Sequence, residues 1–199
     1  LAPADLRKEG PAYDLPIAVA VLAASNQIWP DKLEEAVFIG ELSLDGTTRH
    51  TKGILSLAAM ARAQGLRHVF VPADDAPEAA LMPDVSVYPV RDLGQLVGHL
   101  TGMRPIEPLL VDLNQSFNDA AIYAADFAEI MGQEHVKRAM EVAAAGAHNA
   151  LMTGPPGSGK TLIAKSLPSI LPSMGIDEAL EVTKIYSVAG MLPSATPLI

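Results

Sequence analysis

The sequence predicts an α/β fold, and three observations carry that prediction. Short apolar runs of strand character alternate with segments of helical periodicity over residues 1–100, the pattern of helices packed on a sheet. Hydrophobic residues make up 49% of the chain but aromatic residues only 5%, so the core is aliphatic and alanine-rich, which favours helices on a sheet. Over residues 149–167 an apolar run, a glycine-rich loop and a helical segment follow one another, the order of a phosphate-binding strand–loop–helix unit.

Taken in order, residues 1–12 hold Pro3, Gly10 and Pro11 and read as loop. Asp14 is placed to cap a helix that runs to Ala24, with Pro16 in its first turn. Leu15, Ala18, Val19 and Leu22 have helical spacing, and the segment is apolar nearly all round, which predicts deep burial. Residues 36–44 read as a strand, Asp45-Gly46 as a hairpin turn, and Thr47 to His50 as the return strand. Gly53 precedes a helix through Ala63 that presents Ile54, Leu57, Ala58 and Ala61 on one face, and Gly65 closes it. Strands at 68–72 and 85–90 flank a short helix at 74–81, and Asp92 caps a helix to Leu100.

Pro105 and Pro108, followed by Asn114, Gln115 and Ser116, mark 101–118 as a linker. The reading is therefore a domain over 1–100 and a second over 119–199. In the second, a helix from Gln133 to Ala145 presents Val136, Met140 and Ala143 or Ala144. Asn149 to Thr153 reads as a buried strand, Thr161 to Leu167 as a helix, and Asp177 starts another that runs to Ile185. No internal repeat is evident.

Gly154-Pro155-Pro156-Gly157-Ser158-Gly159-Lys160-Thr161 fits the phosphate-loop pattern G-x-x-x-x-G-K-[ST] at every fixed position. A triphosphate needs many donors aimed at one spot. Gly157 and Gly159 allow backbone conformations in which consecutive N–H groups face an anion. The helix that begins there adds its unsatisfied N–H groups and its dipole. Lys160 is placed to reach the β- and γ-phosphates, and the Thr161 hydroxyl to ligate a Mg²⁺ ion bridging them. The competing reading, a glycine-proline turn that happens to contain Lys-Thr, leaves both correct flanks unexplained.

Charge and composition set further bounds. The net charge is −9, with residues 1–116 at −6 and residues 117–199 at −3, so neither part is basic. Bulk charge gives no support for nucleic-acid binding, although a local basic pore is compatible with it. There is no cysteine, hence no disulfide and no thiolate metal site. No apolar run is long enough to span a membrane. The chain opens at Leu1 without a charged-then-apolar signal segment, and it reads as an internal piece of a cytoplasmic protein.

Ile130-Met131-Gly132-Gln133-Glu134, upstream of the phosphate loop, resembles a segment of AAA+ ATPases that packs near the adenine. This assigns Ile130, Gly132 and Gln133 to the adenine side. The wording is similar to the magnesium-chelatase branch, and the whole arrangement resembles the YifB/ComM family. Glu181 through Gly190 is similar to that family's segment after the phosphate-loop helix, and Lys8-Glu9-Gly10-Pro11, Asp14-Leu15-Pro16 and Gly40-Glu41-Leu42 to its N-terminal domain. The resemblance covers nearly the whole chain. It implies an N-terminally truncated Lon-protease-like domain (ribosomal S5 domain 2-like), then the start of a P-loop AAA+ ATPase domain.

The Lon family carries a nucleophilic serine after Lys-Asp-Gly-Pro, and a catalytic lysine after Gly-Gly and an aliphatic residue. The matching positions here hold Ala12 and Leu55. Neither offers a hydroxyl or an amine, so the domain is expected to lack peptidase activity. Lys52 is expected to point elsewhere, and Ser25 and Ser56 to be ordinary helix residues.

The resemblance further implies ATP and Mg²⁺ as cofactors, a homo-oligomeric ring, a hexamer in those proteins, and branched or single-stranded DNA as substrate. It leaves two alternatives: a magnesium-chelatase-type ATPase subunit, and a remodeller of protein clients with a pseudo-protease binding module. Turnover also needs an acidic pair, a polar sensor and a neighbouring subunit's arginine, none of which falls before Ile199. The residues present are therefore expected to bind ATP weakly and not to hydrolyse it.

The remaining polar residues favour plain roles. His50, His68, His99, His135 and His148 show no paired ligand spacing. Glu41 and Asp45 read as a solvated turn. Arg62, Arg67, Lys137, Arg138 and Lys165 read as solvated helix faces, and Trp29 beside Pro30 as a packing residue.

Overall fold

The computed structural model describes residues 10–29, 33–111, 125–192 and 198. Residues 1–9 and 112–124, where the sequence places an opening loop and the end of the linker, lie outside the described residues. The chain divides into two units, one of residues 1–117 with 176–199 and one of residues 118–175.

In the first unit, β1 (Ala36–Phe38), β4 (His68–Pro72) and β5 (Ser86–Val90) form a parallel sheet in the order β1-β4-β5. The short antiparallel pair β2 (Glu41–Leu42) and β3 (Thr48–Arg49) makes a separate hairpin. The α/β class expected from the sequence is thus present. Helices α1 (Asp14–Ala24), α2 (Ile54–Ala63), α3 (Ala76–Ala79) and α4 (Leu93–Leu100) surround the sheet. Side chains alternate across it. Val69, Val71 and Val87 join the cluster of α2 and α3, whereas Phe70 and Val90 join Leu15 and Val19 of α1 and Leu96 and Leu100 of α4. Burial on both faces explains the unbroken apolar run of β4. Phe38, Phe70 and Tyr88 stand in register across the three strands, and their rings stack at 4.9 and 4.7 Å.

Several elements differ from expectation for physical reasons. The strand expected over 36–44 breaks after Phe38. A Cβ at Gly40 would come within 3.1 Å of the Pro72 ring, and the chain turns there into the hairpin. Asp14 does not cap α1. Its carboxylate accepts the Leu42 N–H at 3.4 Å, and the cap position is Tyr13, fed by a 3-10 turn Pro11–Tyr13. Nor is α1 deeply buried: only Leu15 and Val19 are covered, while Val21 is 61% exposed. The expected helix at 74–81 contracts to α3.

Residues 101–111, read from sequence as linker, belong to the fold of the first unit. Ile106 is buried, its N–H donates to His99 Nδ1 at 2.9 Å, and Leu109 bridges to Val87 with its N–H on the Val87 carbonyl at 2.7 Å.

The second unit contains α5 (Glu134–Ala145) and α6 (Lys160–Ser166), with 3-10 turns Phe127–Glu129 and Leu167–Ile170. Its core is Phe127, Ile130, Met140 and Ile163. The buried strand expected at 149–153 is not formed. These residues are coil, and Leu151 is 90% exposed. A strand draws its hydrogen bonds from a neighbouring strand, and among the described residues none pairs with this segment. The last helix, α7 (Ile176–Ala189), runs beyond the expected end at Ile185 and packs on α2, and the structure groups it with the first unit.

Candidate functional site

The phosphate-loop residues form a turn whose shape the glycines dictate. Gly157 and Gly159 lie at φ +78° and +81°, a left-handed conformation that a side chain disfavours. Gly159 is the cap position of α6, which starts at Lys160. The Lys160 ammonium folds over the loop. It donates to the carbonyls of Gly154 (2.9 Å) and Pro155 (2.7 Å) and to Ser158 Oγ (3.1 Å). Three donors on three loop acceptors use the full donor capacity of the group. A positive charge is thereby held at the loop's centre with a helix start beside it, an electrostatic setting that suits an anion. A Cβ added at Gly157 would meet nothing within 4 Å, so its backbone is open to an incoming group. Pro155, Pro156 and Thr161 are exposed.

The segment before α5 lies against the same loop. Asp126 Oδ1 accepts the Ala128 N–H at 2.9 Å and fixes the turn Phe127–Glu129, which buries Phe127 and Ile130. Gly132 and Gln133 then take left-handed backbone angles, at φ +72° and +54°. Gln133 is the cap position of α5, and its side-chain amide donates to the Ser158 carbonyl at 3.0 Å. A cavity of about 510 Å³ results, lined by Glu129, Ile130, Met131, Gln133, Gly157, Ser158, Gly159, Leu162 and Ile163. The structure thus brings Ile130 and Gln133 together with the loop. Gly132 makes the turn between them and does not line the cavity.

Ala12 and Leu55, the positions read from sequence as degenerate protease positions, sit in one apolar cluster of the first unit. Ala12 packs at its edge, its carbonyl accepting the Gly40 N–H at 3.1 Å. Leu55 is fully buried, and its N–H donates to Glu78 Oε1 at 2.8 Å. Lys52 is exposed, and its side chain lies against Gly190. Ser25 Oγ donates to the Val21 carbonyl at 2.9 Å at the end of α1, an ordinary helix-end bond.

Two carboxylates with long-range partners carry no signal in the sequence. Asp75, almost fully buried, accepts the Thr51 N–H at 2.9 Å and pairs with His50 Nδ1 at 2.5 Å. Burial pushes the Asp75 carboxyl above its usual range, against the pull of these hydrogen bonds. Glu78 receives both Leu55 N–H and the Ser187 hydroxyl. By contrast, the Thr47 hydroxyl and N–H hold exposed Asp45 below the carboxylate range, as suits a solvated turn. Among the described residues no group of three or more His, Asp or Glu could hold a metal ion. A second cavity, of about 530 Å³, opens beside the aromatic stack of the first unit, but His68 and His99 on its wall already bond to the Tyr88 hydroxyl and the Ile106 N–H.

Comparison with known proteins finds two family matches, one toward each end of the chain. The family described as subunit ChlI of Mg-chelatase matches residues 1–75, and that of magnesium chelatase, subunit ChlI, matches residues 126–198. An uncharacterized protein of Mycobacterium tuberculosis is 45% identical over 199 residues, all of this chain and 39% of its own length. Competence protein ComM of Haemophilus influenzae is 39% identical over 190 residues, 94% of this chain and 37% of its own. The YifB protein of Salmonella typhimurium is 42% identical over 189 residues, 94% of this chain and 36% of its own. The chain therefore spans somewhat under two fifths of the length of these relatives. With this identity running across both units, the chain belongs to the YifB/ComM family of magnesium-chelatase-like proteins.

Proposed function

We propose that this chain supplies the nucleotide-binding part of a ring-forming AAA+ motor that remodels DNA, with a Lon-like domain that has lost its protease chemistry. The observation that carries this reading is the Lys160 ammonium held over a loop of two left-handed glycines at the start of a helix. ATP with Mg²⁺ fits that donor set. When bound, the metal would neutralise developing charge on the phosphates. Lys160 would exchange the Gly154 and Pro155 carbonyls for phosphate oxygens, the loop N–H groups would orient the chain of phosphates, and the Thr161 hydroxyl would hold the metal. Ile130 and Gln133 would bound the base side, and Gln133 would keep the loop in place through Ser158. Hydrolysis in a hexameric ring would draw its acidic pair, sensor and arginine from outside these residues. The reading places the protein in the cytoplasm. DNA as substrate rests on the relative named a competence protein.

The test is ATP hydrolysis by the full-length protein with and without single-stranded and forked DNA, beside Lys160→Ala. Stimulation by DNA that vanishes in the variant is the expected result. Hydrolysis indifferent to DNA favours the second reading, a chelatase-type ATPase subunit, which the description shared by both family matches supports. Residues 1–199 alone should show no steady turnover.

A further inference from the structure

The last turn of α7 meets the first turn of α2 at one shared carboxylate, that of Glu78. Glu78 Oε1 accepts the Ser187 hydroxyl of α7 at 2.5 Å and the Leu55 N–H of α2 at 2.8 Å. Beside it, the Gly53 N–H donates to the Ser187 carbonyl at 3.2 Å, and the Lys52 side chain lies against Gly190 just past the helix end. Each bond satisfies a group that a helix terminus leaves open: an N–H in the first turn of α2 and a carbonyl in the last turn of α7. A lysine at the C-terminus of α7 adds favourable charge.

The buried face of α7 is mostly small or polar. Ala179, Thr183 and Ser187 are covered together with Leu180, whereas Ile185 and Val188 are 68% and 61% exposed. Of its large apolar side chains Leu180 enters the apolar cluster while Ile185 and Val188 stay exposed, so the last turn is held more by directional bonds than by apolar burial. Removing the directional bonds should loosen it while the sheet stays intact.

We infer that Glu78, with the 52–55 segment, is a latch that docks the last turn of α7 onto the first unit. Residues 118–175, which contain the phosphate loop, are inserted in the chain between two segments of the first unit. The latch fixes the outgoing end of that insertion. Resting on the nucleotide-binding reading, the further consequence is that a change in the loop on binding ATP loads the latch through α6 and the residues after it.

Hydrogen exchange on the full-length protein tests this, in wild type, Glu78→Ala, Glu78→Gln and Ser187→Ala. Glu78→Ala should speed exchange at residues 53–57 and 184–191 roughly ten- to a hundredfold, while 68–72 stays protected. Glu78→Gln keeps an acceptor oxygen and should stay within a few-fold of wild type. Ser187→Ala should loosen 184–191 and leave 53–57 protected. Unchanged exchange at 184–191 in both Glu78→Ala and Ser187→Ala overturns the latch, as does equal loosening of 68–72. Adding ATP and Mg²⁺ separates the two readings. Protection at 154–161 with a change at 184–191 that is absent in Glu78→Ala supports the coupling. Protection at 154–161 alone refutes it. No protection at 154–161 counts against the nucleotide reading and the coupling together, while the Glu78 comparison still decides the latch.

Discussion

Lys160 has its three ammonium protons on its own loop, and this geometry makes single residues decisive. Gln133 is the next. Its amide on the Ser158 carbonyl is a neutral, exposed bond, worth about 0.5–1.5 kcal/mol net. Gln133→Ala should weaken binding of a fluorescent ATP analogue by roughly two- to tenfold, against a much larger loss in Lys160→Ala; equal losses in the two would mean that Gln133 does more than hold the loop. Asp75 gives a prediction in pH. Its folded carboxyl is raised above 3.8 by burial, so between that value and its folded pKa the native state binds more protons than the unfolded chain. Its contribution is therefore largest in acid and falls as pH rises through the folded pKa. Asp75→Asn should remove that slope, read as the difference in unfolding free energy between the two proteins from about pH 3.8 upward. The turn of Gly157 and Gly159 into α6 is legible at this scale because its residues are consecutive. Asp75 and Glu78 are not, since their partners at 50–55 and 187 are brought to them only by folding.

At the scale of elements, the ones that match expectation are those whose signals are local. Asp92 caps α4 as its position implies, accepting the Gln95 N–H at 2.7 Å. Asp92→Ala should cost about 1 kcal/mol of the first unit's stability and leave nucleotide binding unchanged, which thermal unfolding and ATP titration would show. The helix α2 ends as Gly65 suggests, with Gly65 and Leu66 N–H groups returned to the Arg62 and Ala61 carbonyls at 3.0 Å each. The hairpin at Asp45-Gly46 pairs Leu42 with Thr48. Residues 149–153 fail for the complementary reason. Their apolar pattern is that of a strand, yet a strand's stability resides in its neighbours, and the run stays exposed without them.

At the scale of the molecule, the two units hold separate cores. Leu96 is fully buried between α4 and the sheet, and Met140 anchors the core of the second unit. Leu96→Ala should destabilise the first unit by about 2–5 kcal/mol, and Met140→Ala the second by a similar order or less. Exchange at 68–72 and at 134–145 reports them separately, and each substitution should loosen its own unit alone because the clusters share no residue. Among the described residues no helix is long and apolar enough to cross a membrane.

The sequence by itself determined the α/β class, the Asp92 cap of α4, the hairpin turn at Asp45-Gly46, the glycine-closed end of α2 and the left-handed glycine turn that leads into α6. Each of these depends on residue types a few positions apart. Only the tertiary structure decided that α1 keeps an exposed face, that 101–111 joins the first unit, that Gln133 grips the loop, and that α7 docks through Glu78. Those outcomes turn on hydrogen bonds and burial between residues far apart in the chain, which no local pattern encodes.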